Sequence, residues 1–525
     1  MYNNDTNLQD VFTPQEQNEF NDYFIFEDIS VNSTSSFTAV LRRYQDITKW
    51  HQELDVAVIG FGGAGACAAI EASDAGAEVT IFELASASGG STAMSSAEIY
   101  LGGNGGTRVQ KACGYEDSTE NIYNYLKLCN GEQGDDDKIR AFSEGGVSHF
   151  NWLVEQGVPF KDTEFKERAI MVTTDDGILY TGNEKVWPFN QVAKPVPRGH
   201  NLHVQGDNGG PLFMKIMTEN VERRQINVEY ETRALTLIQD SDGEVKGIVV
   251  RQNQQELNIK TRKGVVLCAG GFVMNEDMLK RYAPMLSKCN APTGNPGDDG
   301  AGILMGMGAG GAAINMHEGL TTLPFYPPAS LTKGIFVNSA GQRFINEDCY
   351  HSRVGNYCLQ QPGDRIFLVF SVNDIGDYQD SNYMGADIAG TGETLAELEI
   401  ELGLPEMSLQ QTVEFYNHYA AKGEDPKFHK IPEWLEPIEG PFAALDCSLG
   451  RGAMYSMFTL GGLDTLPSGE VLTGEREVIK GLYAAGRTTA GMPRTGDGYA
   501  SGMSVADVTF FGRWAGRTVA AVATE

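Results

Sequence analysis

The sequence predicts an α/β fold in which a Rossmann-type domain is interrupted by an inserted α+β domain. Three observations carry that prediction. A complete βαβ unit spans residues 55–83, two further apolar strands that run into glycine turns lie at 264–272 and 481–491, and the stretch of roughly 290–440 between those two has no such motif. A chain of 525 residues has room for two or more cores.

The βαβ unit reads DVAVIGFGGAGACAAIEASDAGAEVTIFE. Residues 55–59 form a short apolar strand, and Gly60, Gly62 and Gly65 place the GxGxxG spacing at a strand-to-helix turn. An alanine-rich helix follows, and a second strand over 78–82 ends on Glu83. The first glycine permits the tight turn. The second, with Gly63 and Ala64 after it, lets backbone N–H groups approach a pyrophosphate at the positive helix end, and the third lets helix and strand pack closely. Glu83, with Leu84 beside it, is placed to accept from ribose hydroxyls. FAD and NAD both fit such a unit. The next segment, ASASGGSTAMSS, offers a second set of donors from Gly90, Ser91 and Thr92 to the far end of a long two-phosphate cofactor. A nicotinamide enzyme has no need of that second cradle, so the expected cofactor is FAD.

The motifs set the expected organisation: an N-terminal extension at 1–50, a first part of the FAD-binding domain at 51–290, an inserted catalytic or cap domain at 291–440, and a return to the FAD-binding domain at 441–525. Within the insertion, Pro324, Pro327 and Pro328 break any long helix, GIFVNSAGQRFINE reads as strand, turn, strand, and 395–402 and 408–422 read as helices. The acidic run 135–137 reads as a helix N-terminus. Residues 1–50 are polar and are expected on the surface.

Composition excludes several classes. A formal net charge of −30 repels nucleic acid and anionic membrane surfaces. Eight scattered cysteines form no CxxC pair, so no metal, iron–sulfur or haem-attachment pattern is present, and a reducing cytoplasm is the expected home. The first twelve residues have neither a basic nor an apolar signal region, and no run of about 18 apolar residues occurs. No export signal and no membrane span are therefore expected.

The segments GVVLCAGGF and GLYAAGRTTAG resemble the motifs by which flavoproteins of the succinate dehydrogenase and fumarate reductase superfamily close around FAD. The resemblance covers nearly all the chain after Trp50. It implies cofactor contacts from Ala234, Ala269, Gly270, Asp299 and Gly486, and from Gly502, Ser504 and Val505 at the start of a helix over 503–518. In fumarate reductases the substrate carboxylates meet a histidine before a TxGG turn, an arginine three residues after an NE pair, and a further arginine before the last glycine pair. Two carboxylates need such guanidinium forks. Here the three positions hold Phe458, Tyr350 and Tyr499, so a diacid substrate is not expected.

The stretches AEIYLGG, VQKACGYEDSTENIYNYL, NWLVEQGVPFK, PVPRGH and GYASGMSVADVTFFGR resemble FAD-dependent 3-ketosteroid dehydrogenases, the Δ4-(5α) type more than the Δ1 type. That resemblance implies removal of two hydrogens from a 3-oxo-5α-steroid to leave a 4-ene-3-one. The Tyr499 hydroxyl and the Gly502 N–H are the expected donors to the developing enolate oxygen. Ser501, with Tyr350 as relay, is expected to take the C4 proton; which of the two hydroxyls takes it directly stays open. Tyr100, Tyr326 and Phe458 are the expected substrate-lining residues, Glu347 a structural carboxylate, and His351 a solvent-facing side chain. The alternatives are a Δ1-dehydrogenase or an enone reductase acting on a related polycyclic ketone such as a bile-acid derivative. The electron acceptor, a quinone or a carrier protein, is not encoded in any motif.

Overall fold

The computed structural model describes residues 41–170, 172–378 and 385–523; residues 1–40 of the expected N-terminal extension lie outside them. The architecture is a Rossmann-type FAD-binding domain carrying an inserted α+β domain. Its central sheet runs in the order Asn227–Glu229, Val79–Phe82, Gln52–Ile59, Gln255–Leu267, the first three connections of which are parallel. The long strand Gln255–Leu267 then serves two neighbours on its free side. Its first half pairs antiparallel with Val245–Gln252, and its last three residues pair parallel with Val478–Ala484. A register shift between Thr261 and Gly264 separates the halves.

Parallel strands covered on both faces read as continuous apolar runs. Accordingly, Val56, Ala57, Val58 and Ile59 are all buried. Helix Gly63–Asp74 lies on this sheet, and helix Met503–Ala520 lies against it. Small residues set how closely those helices approach: a Cβ at Gly512 would stand 2.7 Å from the Ala64 carbonyl oxygen, and one at Gly516 would stand 2.2 Å from that of Ala68. That contact fixes the middle of Met503–Ala520 against the helix that follows the first glycine loop. The acidic run opens helix Asp136–Glu155 as expected, with the Asp135 carboxylate accepting the Lys138 N–H at 3.1 Å. The helix reaches the C-terminal one through the Phe142 and Phe510 rings, 5.2 Å apart.

The inserted domain is built on an antiparallel sheet ordered Ile335–Asn338, Ile366–Ser371, Phe442–Asp446, Ile388–Gly392. Strand alternation divides its two faces. Ile335, Val337, Phe367 and Val369 pack under helices Leu395–Leu402 and Ser408–Ala420. Phe336, Leu368, Phe370 and Leu445 face the opposite way and join the core of the FAD-binding domain. The strand Phe442–Asp446 belongs to this sheet, so the inserted sheet runs past residue 440; its partner across the sheet, Ile366–Ser371, pairs with it from Phe367 opposite Asp446 to Ser371 opposite Phe442, more than 70 residues apart in sequence, and leaves no local mark there. A three-stranded sheet of Ala291–Pro292, Ser456–Thr459 and Gly319–Thr322 joins the two domains. No helix among the described residues is long and apolar enough to cross a membrane.

Candidate active site

The first glycine loop, the Ser91 segment and the turns after the two downstream strands enclose one elongated cleft. Gly60, Gly62, Gly63, Ala64, Glu83, Leu84, Gly90, Ser91, Thr92, Ala234, Ala269, Gly270, Asp299 and Gly486 all line it, as the sequence leads one to expect. Gly60 has φ +99°, and a Cβ there would lie 2.5 Å from the Cys268 carbonyl oxygen, so the turn admits no side chain. Gly65 sits behind the wall: its Cβ would stand 1.9 Å from the Gly60 carbonyl oxygen, which makes it a packing glycine.

The cleft is backbone-rich where a pyrophosphate would lie. Thr92 Oγ1 accepts the Gly63 N–H at 3.1 Å, and the Glu83 carboxylate accepts the N–H groups of Phe61 at 2.6 Å and Ala85 at 2.8 Å, which holds the acid at the end of its strand. Asp298 joins the far side, accepting from Ser91 Oγ at 2.6 Å and from Arg487 at 2.5 Å. This donor set, with side-chain-free turns on both sides, fits FAD. Gly502, Ser504 and Val505 do not line the cleft; helix Met503–Ala520 reaches it through Val508, one turn further on. The helix is tilted so that its first turn meets Tyr499 and the strand Ile99–Tyr100 instead.

A second cavity of about 730 Å³ opens between the domains. That lies within the range of about 300–1,000 Å³ usual for pockets that enclose a small organic ligand. Tyr350, Ser501 and Tyr326 line it together with Glu98, Glu184 and Arg168. Each polar group is held by another element. Ser501 exchanges backbone bonds with Thr181, donating its N–H to the Thr181 carbonyl and accepting Thr181 Oγ1 on its own, both at 2.9 Å. The Tyr350 N–H donates to Asn183 Oδ1 at 2.8 Å, so the 181–184 segment clamps both. The Ser501 hydroxyl lies beside the Tyr350 phenol and the Glu98 carboxylate on the same wall and favours the charged form of each. Burial, then the neighbouring Glu98 charge, pushes the Tyr350 phenol well above its ordinary range, so it remains a protonated donor.

Tyr499 is buried and lines neither the cleft nor the cavity, but contacts link it to both. Arg487 lines the cleft and lies over the Phe458 ring at 5.2 Å; that ring meets the Tyr499 ring edge-on at 5.7 Å. Two residues on, Ser501 lines the cavity. Phe458 is therefore half-buried between Arg487 and Tyr499 and not on the cavity wall. Tyr100 also stands behind the wall, fully buried, its hydroxyl donating to Glu184 at 3.0 Å. His351, expected to face solvent, is buried with Nδ1 3.2 Å from the Tyr326 hydroxyl; burial and then the Arg168 charge push its pKa down to about 3. Glu347 is structural as expected, accepting the Phe336 N–H and pairing with Arg343 and Lys430. The residues that sequence reasoning missed are Glu98, Glu184, Arg168 and Arg487. Arg487 alone had a usable signal, being the sole cation inside the second glycine-turn motif.

Cleft and cavity linked through Tyr499 define a flavin-dependent oxidoreductase, and residues 55–502 match the FAD binding domain family. The chain belongs to that family and uses FAD. It is similar to the 3-ketosteroid-Δ4-(5α)-dehydrogenase from Rhodococcus jostii RHA1, solved in complex with 4-androstene-3,17-dione, at 39% identity and a TM-score of 0.86, covering 91% of this chain and 99% of that one. It is 26% identical to the 3-oxo-5-alpha-steroid 4-dehydrogenase of Comamonas testosteroni over 84% of this chain and 94% of that protein. It is 28% identical to the fumarate reductase (cytochrome) of Shewanella frigidimarina over 90% of this chain and 77% of that protein.

Proposed function

We propose that the chain oxidises a 3-oxo-5α-steroid to the 4-ene-3-one. The observation that carries this reading is the kind of residue at three positions: by the resemblance to fumarate reductases, Phe458, Tyr350 and Tyr499 stand where those proteins hold a histidine and two arginines, so hydroxyls and rings replace the groups a diacid needs. The size of the cavity and the steroid carried by the similar Rhodococcus protein support the same substrate class.

A C4 hydrogen next to a ketone leaves as a proton once the carbonyl oxygen is stabilised. Tyr499, with the Gly502 N–H at the positive end of helix Met503–Ala520, supplies that stabilisation; Ser501 takes the proton, and Tyr350, held neutral, donates to it. Bound FAD would supply the hydride acceptor. Gly60, Gly62, Gly63, Ser91 and Thr92 would hold its phosphates, and Glu83 its ribose. Turnover of a saturated 5α-3-ketosteroid with an artificial electron acceptor, with the new double bond located in the product, tests the reading. A 4-ene supports it, and a 1-ene assigns the chain to the Δ1 reaction.

A further inference from the structure

On the wall beside Ser501, the chain turns through Ala97 at φ +50°, a left-handed conformation that a residue with a Cβ adopts only where its surroundings impose it. The next residue is Glu98. It is 5% exposed and lines the cavity. The segment that carries it is seated directly on the catalytic loop: Tyr100 N–H donates to the Gly502 carbonyl at 3.1 Å, and a Cβ at Gly502 would stand 3.2 Å from the Glu98 carbonyl oxygen. Glu98, Ser501 and Tyr350 line the same wall, with the Ser501 hydroxyl near enough to the other two to favour the charged form of each. A serine hydroxyl has one proton to give. A carboxylate can only accept it, and a neutral tyrosine can supply its own, so a proton handed along the three runs in one direction, from Tyr350 to Ser501 to Glu98.

We propose that Glu98 is the terminal acceptor of the substrate proton, acting through Ser501. This rests on the reading of the site as a ketosteroid dehydrogenase. As the C4–H bond breaks, its proton passes to Ser501 Oγ while the Ser501 proton passes to Glu98. The C4–H electron pair becomes the C4–C5 double bond, and the C5 hydrogen leaves with its two electrons as the hydride that flavin chemistry takes up. The steroid is oxidised by two electrons, and Glu98 ends neutral. Asp207, half-buried on the neighbouring loop, faces the same carboxylate, as do Glu184, Tyr350 and Tyr499. Glu184 is already engaged by the Tyr100 hydroxyl and the Gly182 N–H. Among the described residues no cation forms a salt bridge to Glu98, so burial, then the Asp207 charge, pushes it up to about 7, where a proton acceptor is matched to neutral pH.

The test is the rate of flavin reduction by a saturated 5α-3-ketosteroid, followed by stopped flow between about pH 5 and 9. Wild type gives a rate that rises through a midpoint near 7. Glu98→Gln, with flavin content and Tm unchanged, loses that limb and slows by on the order of 10²-fold or more; Glu98→Asp restores the limb. Asp207→Asn keeps a fast enzyme but moves the midpoint to lower pH, because a like charge is gone. If Glu98→Gln fails to fold, the Asp207→Asn shift decides alone. Unchanged profiles in both variants overturn the role of Glu98. A wild type that no 5α-3-ketosteroid reduces at any pH fails the substrate reading first, and the relay with it.

Discussion

The Tyr499 hydroxyl donates to Ser504 Oγ at 2.9 Å and accepts the Ser504 N–H at 3.2 Å, which pins the phenol to the first turn of helix Met503–Ala520. Its one proton is given to Ser504 Oγ here, so stabilising an enolate oxygen requires the phenol to turn that proton from Ser504 to the ketone; burial, outweighing these bonds, keeps its pKa raised. Tyr499→Phe is expected to keep its flavin and to lower kcat by about 10²–10³-fold, the usual loss on removing one donor to an enolate oxygen. Steady-state kinetics with flavin absorbance as the folding control checks it.

Ser501 and Tyr350 lie side by side on the cavity wall. Ser501→Ala and Tyr350→Phe are each expected to slow the proton-transfer step by about 10²–10⁴-fold. The double variant should slow little beyond the worse single one, because both act on one proton. Full additivity in a double-mutant cycle would separate their roles.

Gly60→Ala places a methyl 2.5 Å from the Cys268 carbonyl oxygen at a backbone φ of +99°. The purified variant is expected to lose most of its bound FAD, read from the ratio of visible to 280 nm absorbance, with Gly76→Ala, whose Cβ meets nothing within 4 Å, as a comparison outside the cleft.

Glu347 lies buried between Arg343 at 2.7 Å and Lys430 at 2.9 Å. Burial alone would raise its pKa, but the two cations hold it below the ordinary value of 4.5. A depressed carboxylate stabilises the fold above its unfolded pKa, and that contribution disappears as pH falls through the folded one. Glu347→Gln is expected to cost about 3–5 kcal/mol at pH 7, with the deficit shrinking below about pH 4.5. Urea denaturation at several pH values measures it.

The cofactor cleft was legible because glycine loops that touch phosphate must lack side chains, and that requirement is written locally at Gly60, Gly62 and Gly90. Tyr350 and Ser501 were legible only through the resemblance of the segments that carry them to known flavoproteins. Other assignments depended on partners distant in the chain. Tyr100 stands behind the cavity wall with its hydroxyl on Glu184, 84 residues later, and His351 is drawn inward by Tyr326, 25 residues earlier. Glu98 is a lone acid in an otherwise apolar stretch; only its packing against Gly502 gives it a place in the site. Phe458 was read as wall and is not, since a ring between Arg487 and Tyr499 looks the same in sequence as one that meets substrate.

The most direct test is anaerobic titration of the FAD-loaded enzyme with a saturated 5α-3-ketosteroid, and separately with succinate, while following the flavin band near 450 nm. Bleaching by the ketosteroid with formation of the 4-ene-3-one, and no response to succinate, is the expected result. Bleaching by succinate, or a flavin band unmoved by the ketosteroid in correctly loaded protein, would contradict the assignment of a hydroxyl-lined site for a neutral ketone.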